Sequence, residues 1–364
     1  MTLLGIDVGT GGTRAVVVGE DGRIVASATE EHAAFDSPQR GWAEQDPADW
    51  WRACAIAVRV ALDRARIPAD AIAAVGLAGQ MHGAVLLDEG DKVLRPSPIW
   101  SDQRTGPQCR ELVEQLGEQR LIELTSNPAL TAFTLPKLMW VREHEPETWS
   151  RVSAVLLPKD YVRLCLTGER ATDVADASGT LLFDVAGRRW SAAMLEAAEI
   201  DERLLPRVTE SAEVSAHVSA AGADATGLAA GTPVVAGAGD QAAGAVGMGV
   251  VRPGVVSATI GSSGVVFAAT DRPARDAGGR VHSFCHAVPG RWHVMGVTQA
   301  AGLSLRWFLD RFGAGGDGGY DNLFAEAAAA PPGADGVLWA PYLLGERTPH
   351  LDPDARAALV GLTA

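Results

Sequence analysis

The chain has 364 residues, more than one compact core usually holds, so two domains are expected. Hydrophobic residues make up 47% and charged residues 21%, a balance that supports a buried core and excludes a disordered chain. The formal net charge of −14 excludes a general affinity for nucleic acid or for an anionic membrane, so any bound phosphate must meet local donors.

The opening Met1-Thr2-Leu3-Leu4-Gly5-Ile6-Asp7 has no basic n-region and carries an early carboxylate, and no apolar run approaches membrane-spanning length. A cytoplasmic protein is expected. Residues 3–7, 13–19 and 23–31 are β-rich and separated by a Gly-rich turn and by Asp21-Gly22, which predicts antiparallel hairpins. Asp46 reads as a helix N-cap with Pro47 in the first helical position, and apolar residues recur near helical spacing over 48–65. Residues 72–78 form a continuous apolar run, expected of a strand buried on both faces. From 105 to 167 the pattern is mainly helical with breaks at Pro128, Pro136 and Pro158, and residues 173–189 read as short β-like pieces. This stretch reads as an insertion on the first core.

Residues 232–236 predict another short strand, followed by Gly237-Ala-Gly-Asp-Gln241, a small-residue helix and the turn Arg252-Pro253-Gly254. Beyond that turn the opening is echoed, with Val255–Ile260, the turn Gly261-Ser-Ser-Gly264, and a second β-run from Val265 to Ala269. The echo implies two related α/β lobes, spanning 1–248 and 249–364. Stretches 313–319 and 327–336 read as loops. The four cysteines form no C-x-x-C pair and most are read as plain core residues, while His282, Cys285 and His286 fit no familiar metal spacing and are read as buried or hydrogen-bonded residues.

Several segments carry chemistry. Asp7-Val-Gly-Thr-Gly-Gly-Thr-Arg14 places a carboxylate at a strand end and small residues in the next turn. The backbone amides of that turn, the hydroxyls of Thr10 and Thr13 and the Arg14 guanidinium can face an anion, while Asp7 can hold a hydrated Mg²⁺. The competing reading is an ordinary tight hairpin. Gly261-Ser262-Ser263-Gly264 offers a second cradle of the same kind, and phosphoryl transfer between lobes needs donors on both sides of a polyphosphate. Only Lys92, Lys137 and Lys159 are lysines among 31 basic residues and none follows a Gly-rich loop, which excludes a Walker A motif.

Asp240 follows a short strand, where an open α/β sheet presents ligand-contacting residues, and is the candidate general base for a hydroxyl nucleophile. A helix N-cap is the plainer alternative for it. The same stretch, Gly237-x-Gly239-x-x-Ala242, satisfies a dinucleotide fingerprint but lacks the acidic residue at the end of the next strand. Gly79-Gln-Met-His-Gly83 and Trp100-Ser-Asp-Gln-Arg-Thr105 combine polar groups with Met and Trp, a mixture suited to a sugar. Core roles for His82 and Trp100 stand beside that reading.

Taken in order, these five motifs resemble those of the FGGY family of carbohydrate kinases. The resemblance spans the chain, and Ala340-Pro-Tyr-Leu-Leu-Gly-Glu-Arg-Thr-Pro-His-Leu-Asp-Pro-Asp-Ala-Arg356 is similar to a later signature of the branch that phosphorylates D-xylulose. It implies two ribonuclease-H-like lobes of the actin and hexokinase type around an interlobe cleft. It further implies Mg²⁺-dependent transfer of a phosphoryl group from ATP to a ketopentose, with Asp240 as base. The implied sugar contacts are Met81, His82, Trp100, Asp102 and Asp240. The implied phosphate contacts are Thr10, Gly11, Gly12, Thr13, Arg14, Gly261, Ser262, Ser263 and Gly302, with Asp7 linked to Mg²⁺. Family members continue beyond Ala364, so the second lobe is expected to be incomplete, to lack the adenine subsite and to favour self-association as a homodimer. A sugar-binding protein without turnover, and an FGGY kinase for ribulose, gluconate or glycerol, remain as alternatives.

Overall fold

The computed structural model describes residues 1–312, 319–352 and 354–363. The opening meander forms as its alternating pattern predicts: strand Thr2–Val8 pairs antiparallel with Gly12–Val18, and that strand pairs with Ile24–Glu31. Strand Ile72–Gly79 lies parallel to the first, and Pro233–Val235 and Val214–His217 extend the layer into a sheet of seven strands that includes Ala238–Gly239.

Helix Pro47–Ala65 covers one face of this sheet. Asp46 caps it by accepting from the Ala48 amide at 2.9 Å, and Pro47 occupies the first turn, where no N–H is needed. Its buried stripe of Trp50, Cys54, Ala57, Val58, Ala61 and Leu62 packs on Leu4, Ile6, Val8, Ala15 and Val17, completed by the helix Pro158–Thr167. Full burial of each large apolar side chain contributes about 1.5–3 kcal/mol.

The strand 72–79 departs from expectation, because only Ile72, Val75, Leu77 and Gly79 are buried. Its other face carries Ala and Gly, too small to fill the space, and lines a cavity of about 410 Å³ together with Asp7 and Arg14. Pro136 does not break the helical stretch. It lies in the first turn of the helix Thr134–His144, a position that tolerates proline. The expected β-like region holds strand Ala171–Asp173 and the pairs Phe183–Asp184 and Arg189–Trp190, but Val174–Thr180 is helical, started by Asp173 accepting from the amides of Ala175 and Asp176. Helix Gly319–Ala329 runs into the second expected loop, and residues 313–318 of the first lie outside the described residues.

A second antiparallel sheet of four strands is ordered Val256–Ile260, Gly264–Thr270, Trp292–Thr298, His282–Cys285. Phe284 and Met295 join Phe133, Leu135, Leu181 and Leu182 in one apolar cluster, so the second sheet packs directly on the inserted helices. The side-chain amide of Asn127 donates to Ser283 O at 2.8 Å and accepts from Ser283 N at 3.1 Å across this junction. His282 stacks on Phe284, and His286 bonds Val250 O, so these histidines serve as core residues. The four cysteines are free, and burial pushes their thiols up, to about 12 for Cys54 and about 11 for Cys109, Cys165 and Cys285. Among the described residues no helix is long and apolar enough to cross a membrane.

Candidate active site

The parallel strands end together. Asp7 and Ala238 both align with Ala78, and Val8 and Gly239 both align with Gly79. The chain therefore delivers the Gly9 turn, Gln80 and Asp240 to one carboxyl edge of the sheet, where open α/β sheets carry their ligands. Asp240 opens the helix Asp240–Gly247 as its first residue. The N-cap is Gly239, so the capping alternative does not hold, although a carboxylate in the first turn still suits the helix dipole.

Two carboxylates share this edge. Burial pushes the Asp240 carboxyl up to about 6, the charge of Asp7 adds to the rise, and hydrogen bonds from Gln241 oppose it. Asp7 keeps contact with solvent, yet the protein around it raises its carboxyl too, while Arg14, its cross-strand partner, pulls the other way. Among the described residues no cluster of three or more His, Cys, Asp or Glu forms a dedicated metal cage. Two hard oxygen donors that repel one another suit a single divalent cation that keeps most of its water.

The first turn is heavily braced. Gly9 N donates to Gly12 O at 3.0 Å, and a Cβ at Gly12 would lie 2.7 Å from Glu30 O, which explains the glycine. Gln45 Nε2 donates to Thr10 O at 2.8 Å, and Gln45 Oε1 accepts from Gln80 Nε2 at 2.9 Å and Trp50 Nε1 at 3.1 Å. Trp100 Nε1 donates to Thr10 Oγ1 at 2.9 Å, which leaves the indole 38% exposed. Thr13 is fully buried, its hydroxyl 2.9 Å from His32 Nε2, and so it braces the turn from beneath. Sequence reasoning missed Gln45 and His32, because each lies far along the chain and carries no local motif.

On the sugar-suited side, a Cβ at Gly239 would lie 2.7 Å from Met81 Cγ and 3.3 Å from Asp176 Oδ1, so Met81 packs against the residue before Asp240. His82 has φ 70°, and its Nδ1–H donates to Gly179 O at 2.7 Å. Burial holds the ring neutral, leaving Nε2 as an acceptor. Asp102 differs from its expected role. It is fully buried, and its oxygens accept from Ala43 N and from the Arg104 amide and guanidinium at 2.7–3.0 Å. It shapes the loop that presents Trp100 and has no oxygen to spare for a sugar.

The second turn faces the first lobe across a cleft of about 630 Å³ lined by Trp100, Gln103, Thr131, Ser262, Ser263 and Arg347. Gly302 N donates to Gly261 O at 2.8 Å, and Ala301 N and Leu303 N donate to Ser262 O at 2.9 and 3.1 Å. A Cβ at Gly302 would lie 2.5 Å from Gly261 O. Gly302 thus lets the helix Gly302–Phe312 start directly beneath the turn. The glycines that mimic a dinucleotide fingerprint have packing reasons of their own, since Gly237, at φ 75°, would place a Cβ 1.9 Å from Leu77 O.

Beneath Asp240 lies a buried ionic cluster that no sequence signal revealed. Lys159 Nζ is 2.6 Å from Asp160, 2.8 Å from Asp173 and 3.5 Å from Asp176, with Arg163 3.6 Å from Asp160. Burial pushes the carboxyls of Asp173 and Asp176 up, Asp176 much further. A proton on Asp176 leaves two cations facing two carboxylates, a balance the dry interior favours.

Two α/β lobes, each offering a glycine-rich hairpin turn to a shared cleft, define an enzyme of the actin and hexokinase type. The chain belongs to the FGGY family of carbohydrate kinases: residues 2–247 match the family's N-terminal domain and residues 256–364 its C-terminal domain. It is 42% identical over 360 residues to a xylulose kinase of Escherichia coli K12, covering 99% of this chain and 72% of that one. A xylulose kinase of Lactococcus lactis is 40% identical over 366 residues, covering 100% and 71%. The solved xylulose kinase of Rhodospirillum rubrum superposes with a TM-score of 0.93 at 32% identity, over 100% of this chain and 73% of its own.

Proposed function

We propose that this carbohydrate kinase transfers the γ-phosphoryl group of ATP to a ketopentose, D-xylulose above others, giving D-xylulose 5-phosphate. The observation that carries the reading is Asp240, a carboxylate at a strand end with its pKa raised to about 6, directly after Gly239, against which Met81 packs, and within the field of Asp7. The names of the relatives support the acceptor.

In this reading the chain divides into lobes 1–248 and 249–364. Met81, His82 and Trp100 hold the sugar, with the neutral His82 Nε2 accepting from a hydroxyl. The 5-hydroxyl gives its proton to Asp240 as its oxygen bonds the γ-phosphorus and the bond to the β-γ bridging oxygen breaks, releasing ADP. Positioning in line supplies more of the rate than covalent chemistry would. The turn Thr10, Gly11, Gly12, Thr13 and Arg14 meets the phosphates from one lobe, and Gly261, Ser262 and Ser263, propped by Gly302, meet them from the other. Beside Asp240, Asp7 would hold a hydrated Mg²⁺, which neutralises phosphate charge when bound.

The test is coupled ADP release with ATP and Mg²⁺, with and without D-xylulose, for the chain and its Asp240→Asn variant. Release that requires both the sugar and Asp240 supports the reading. Equal release without sugar, or an undiminished Asp240→Asn variant, overturns it.

A further inference from the structure

One charged group in the cleft has no assigned task. Arg347 comes from the second lobe and lines the cleft together with Ser262 and Ser263 of the second turn, opposite Trp100 and Thr131. It is the one cation among the residues that line this cleft. Among the described residues its guanidinium makes no hydrogen bond or ion pair, an uncommon state for a half-buried arginine.

The backbone of Arg347 and the second turn hang from the same short segment. Strand Trp292–Thr298 pairs Thr298 with Gly264, so closely that a Cβ at Gly264 would lie 2.8 Å from Thr298 Cγ2. Three residues on, Ala301 N donates to Ser262 O at 2.9 Å, and Leu303 N does so at 3.1 Å. From the same segment Thr298 Oγ1 donates to the Glu346 carboxylate at 2.6 Å and Gln299 N donates to it at 2.9 Å, while the Arg347 amide donates to it at 2.7 Å. Thr348 N donates to Val297 O at 3.0 Å, and Thr348 Oγ1 accepts from Val297 N at 3.1 Å. Residues 297–303 therefore carry the serine turn and the root of Arg347 as one unit. Glu346, the one carboxylate lining the cleft, is buried and spent on these donors, so it does not serve as counter-ion to the guanidinium.

That set of groups selects the kind of ligand. A half-buried guanidinium gives up hydration that a neutral sugar hydroxyl only partly replaces, whereas an anion balances its charge and accepts from several of its N–H groups at once. Two serine hydroxyls beside a planar fork of donors suit the clustered oxygens of a phosphoryl group.

We infer that Arg347 binds the terminal phosphoryl group of the nucleotide from the second lobe and holds its charge during transfer. The sugar oxygen bonds the γ-phosphorus, its proton goes to Asp240, the bond to the β-γ bridging oxygen breaks, and the guanidinium keeps the non-bridging oxygens throughout. Charge spread over those oxygens is what a positioned arginine stabilises in phosphoryl transfer.

The inference rests on the proposed phosphotransfer reading, and the experiment separates the two. ATP and ADP, each with Mg²⁺, and D-xylulose alone are titrated into the wild type, Arg347→Gln and Arg347→Lys, followed by tryptophan fluorescence, and kcat is read by coupled ADP release. In Arg347→Gln, ATP binding should weaken about tenfold or more and kcat fall about 10²-fold or more, because a charge-assisted contact to the transferred group is lost. ADP binding, D-xylulose binding and Tm should stay unchanged, since the guanidinium has no partner in the free chain to lose. Arg347→Lys should fall between, and millimolar guanidinium should restore part of kcat in Arg347→Ala. Equal weakening of ATP and ADP, weakened D-xylulose binding with ATP unaffected, or an Arg347→Gln variant equal to the wild type overturns the inference. A wild type that releases no ADP from ATP and D-xylulose overturns the underlying reading instead.

Discussion

The two hairpin turns share a plan and differ in their support. The turn after Val8 is locked from several sides by side chains distant in sequence, namely Gln45, Gln80, Trp100 and His32. The turn after Ile260 is held almost wholly by backbone, with three amides at the start of one helix donating to two of its carbonyls. Around it the strand Val256–Ile260 stays open to solvent, with Ile260 81% exposed. One turn is thus positioned by a buried polar network next to the carboxylates, and the other rides on a single helix start. Damage to the side-chain network of the first turn should register in chemistry and stability together, and damage to the support of the second turn in nucleotide binding.

The largest effect should come from the carboxylate edge. Asp240→Asn is expected to lower kcat by about 10²–10⁴-fold while leaving Tm unchanged, as read by ADP release and thermal unfolding. The pH profile sharpens this. A base must be ionised, so kcat/KM should rise with pH and level off above about 6, the value to which burial and Asp7 push Asp240. Residual activity in Asp7→Asn should show its acid limb at lower pH, because the repelling charge is gone. An acid limb near 4 in the wild type would remove the electrostatic account.

Gly302→Ala should come next. Its Cβ would overlap Gly261 O, so overpacking should cost about 1–3 kcal/mol and raise KM for ATP with little change in KM for the sugar. If both KM values rise alike, the turns are not independent and the contrast fails. Gln45→Ala probes the opposite side, since it strands Trp50 Nε1 and leaves Gln80 Nε2 only its long contact with Gly9 O, and an unmet buried donor costs about 1–3 kcal/mol in urea unfolding. Trp100→Phe removes one partly exposed hydrogen bond to Thr10 and should cost at most about 1 kcal/mol.

The contrast also marks what could be read from sequence. Local patterns carry the meander, the Asp46 cap, the helix 47–65 and both turns, because each depends on neighbours a few residues apart. The edge that unites Asp7, Gln80 and Asp240 needs three parallel strands from across the chain, and only the echo of turns and the family resemblance hinted at it. Asp102 misled because a polar residue in a motif looks the same whether it meets a ligand or Arg104. The cluster around Lys159 was invisible because no spacing rule marks a lysine enclosed by acids and fully buried.

The cysteines have a practical consequence. With all four thiols free, buried or half-buried, and held at about 11 to 12, little native thiolate exists near neutral pH to react with an alkylating dye. A cysteine introduced at an exposed residue on each lobe would then be labelled against a quiet background, and the distance between a donor and an acceptor dye would report the cleft opening and closing in a chain that keeps its native cysteines.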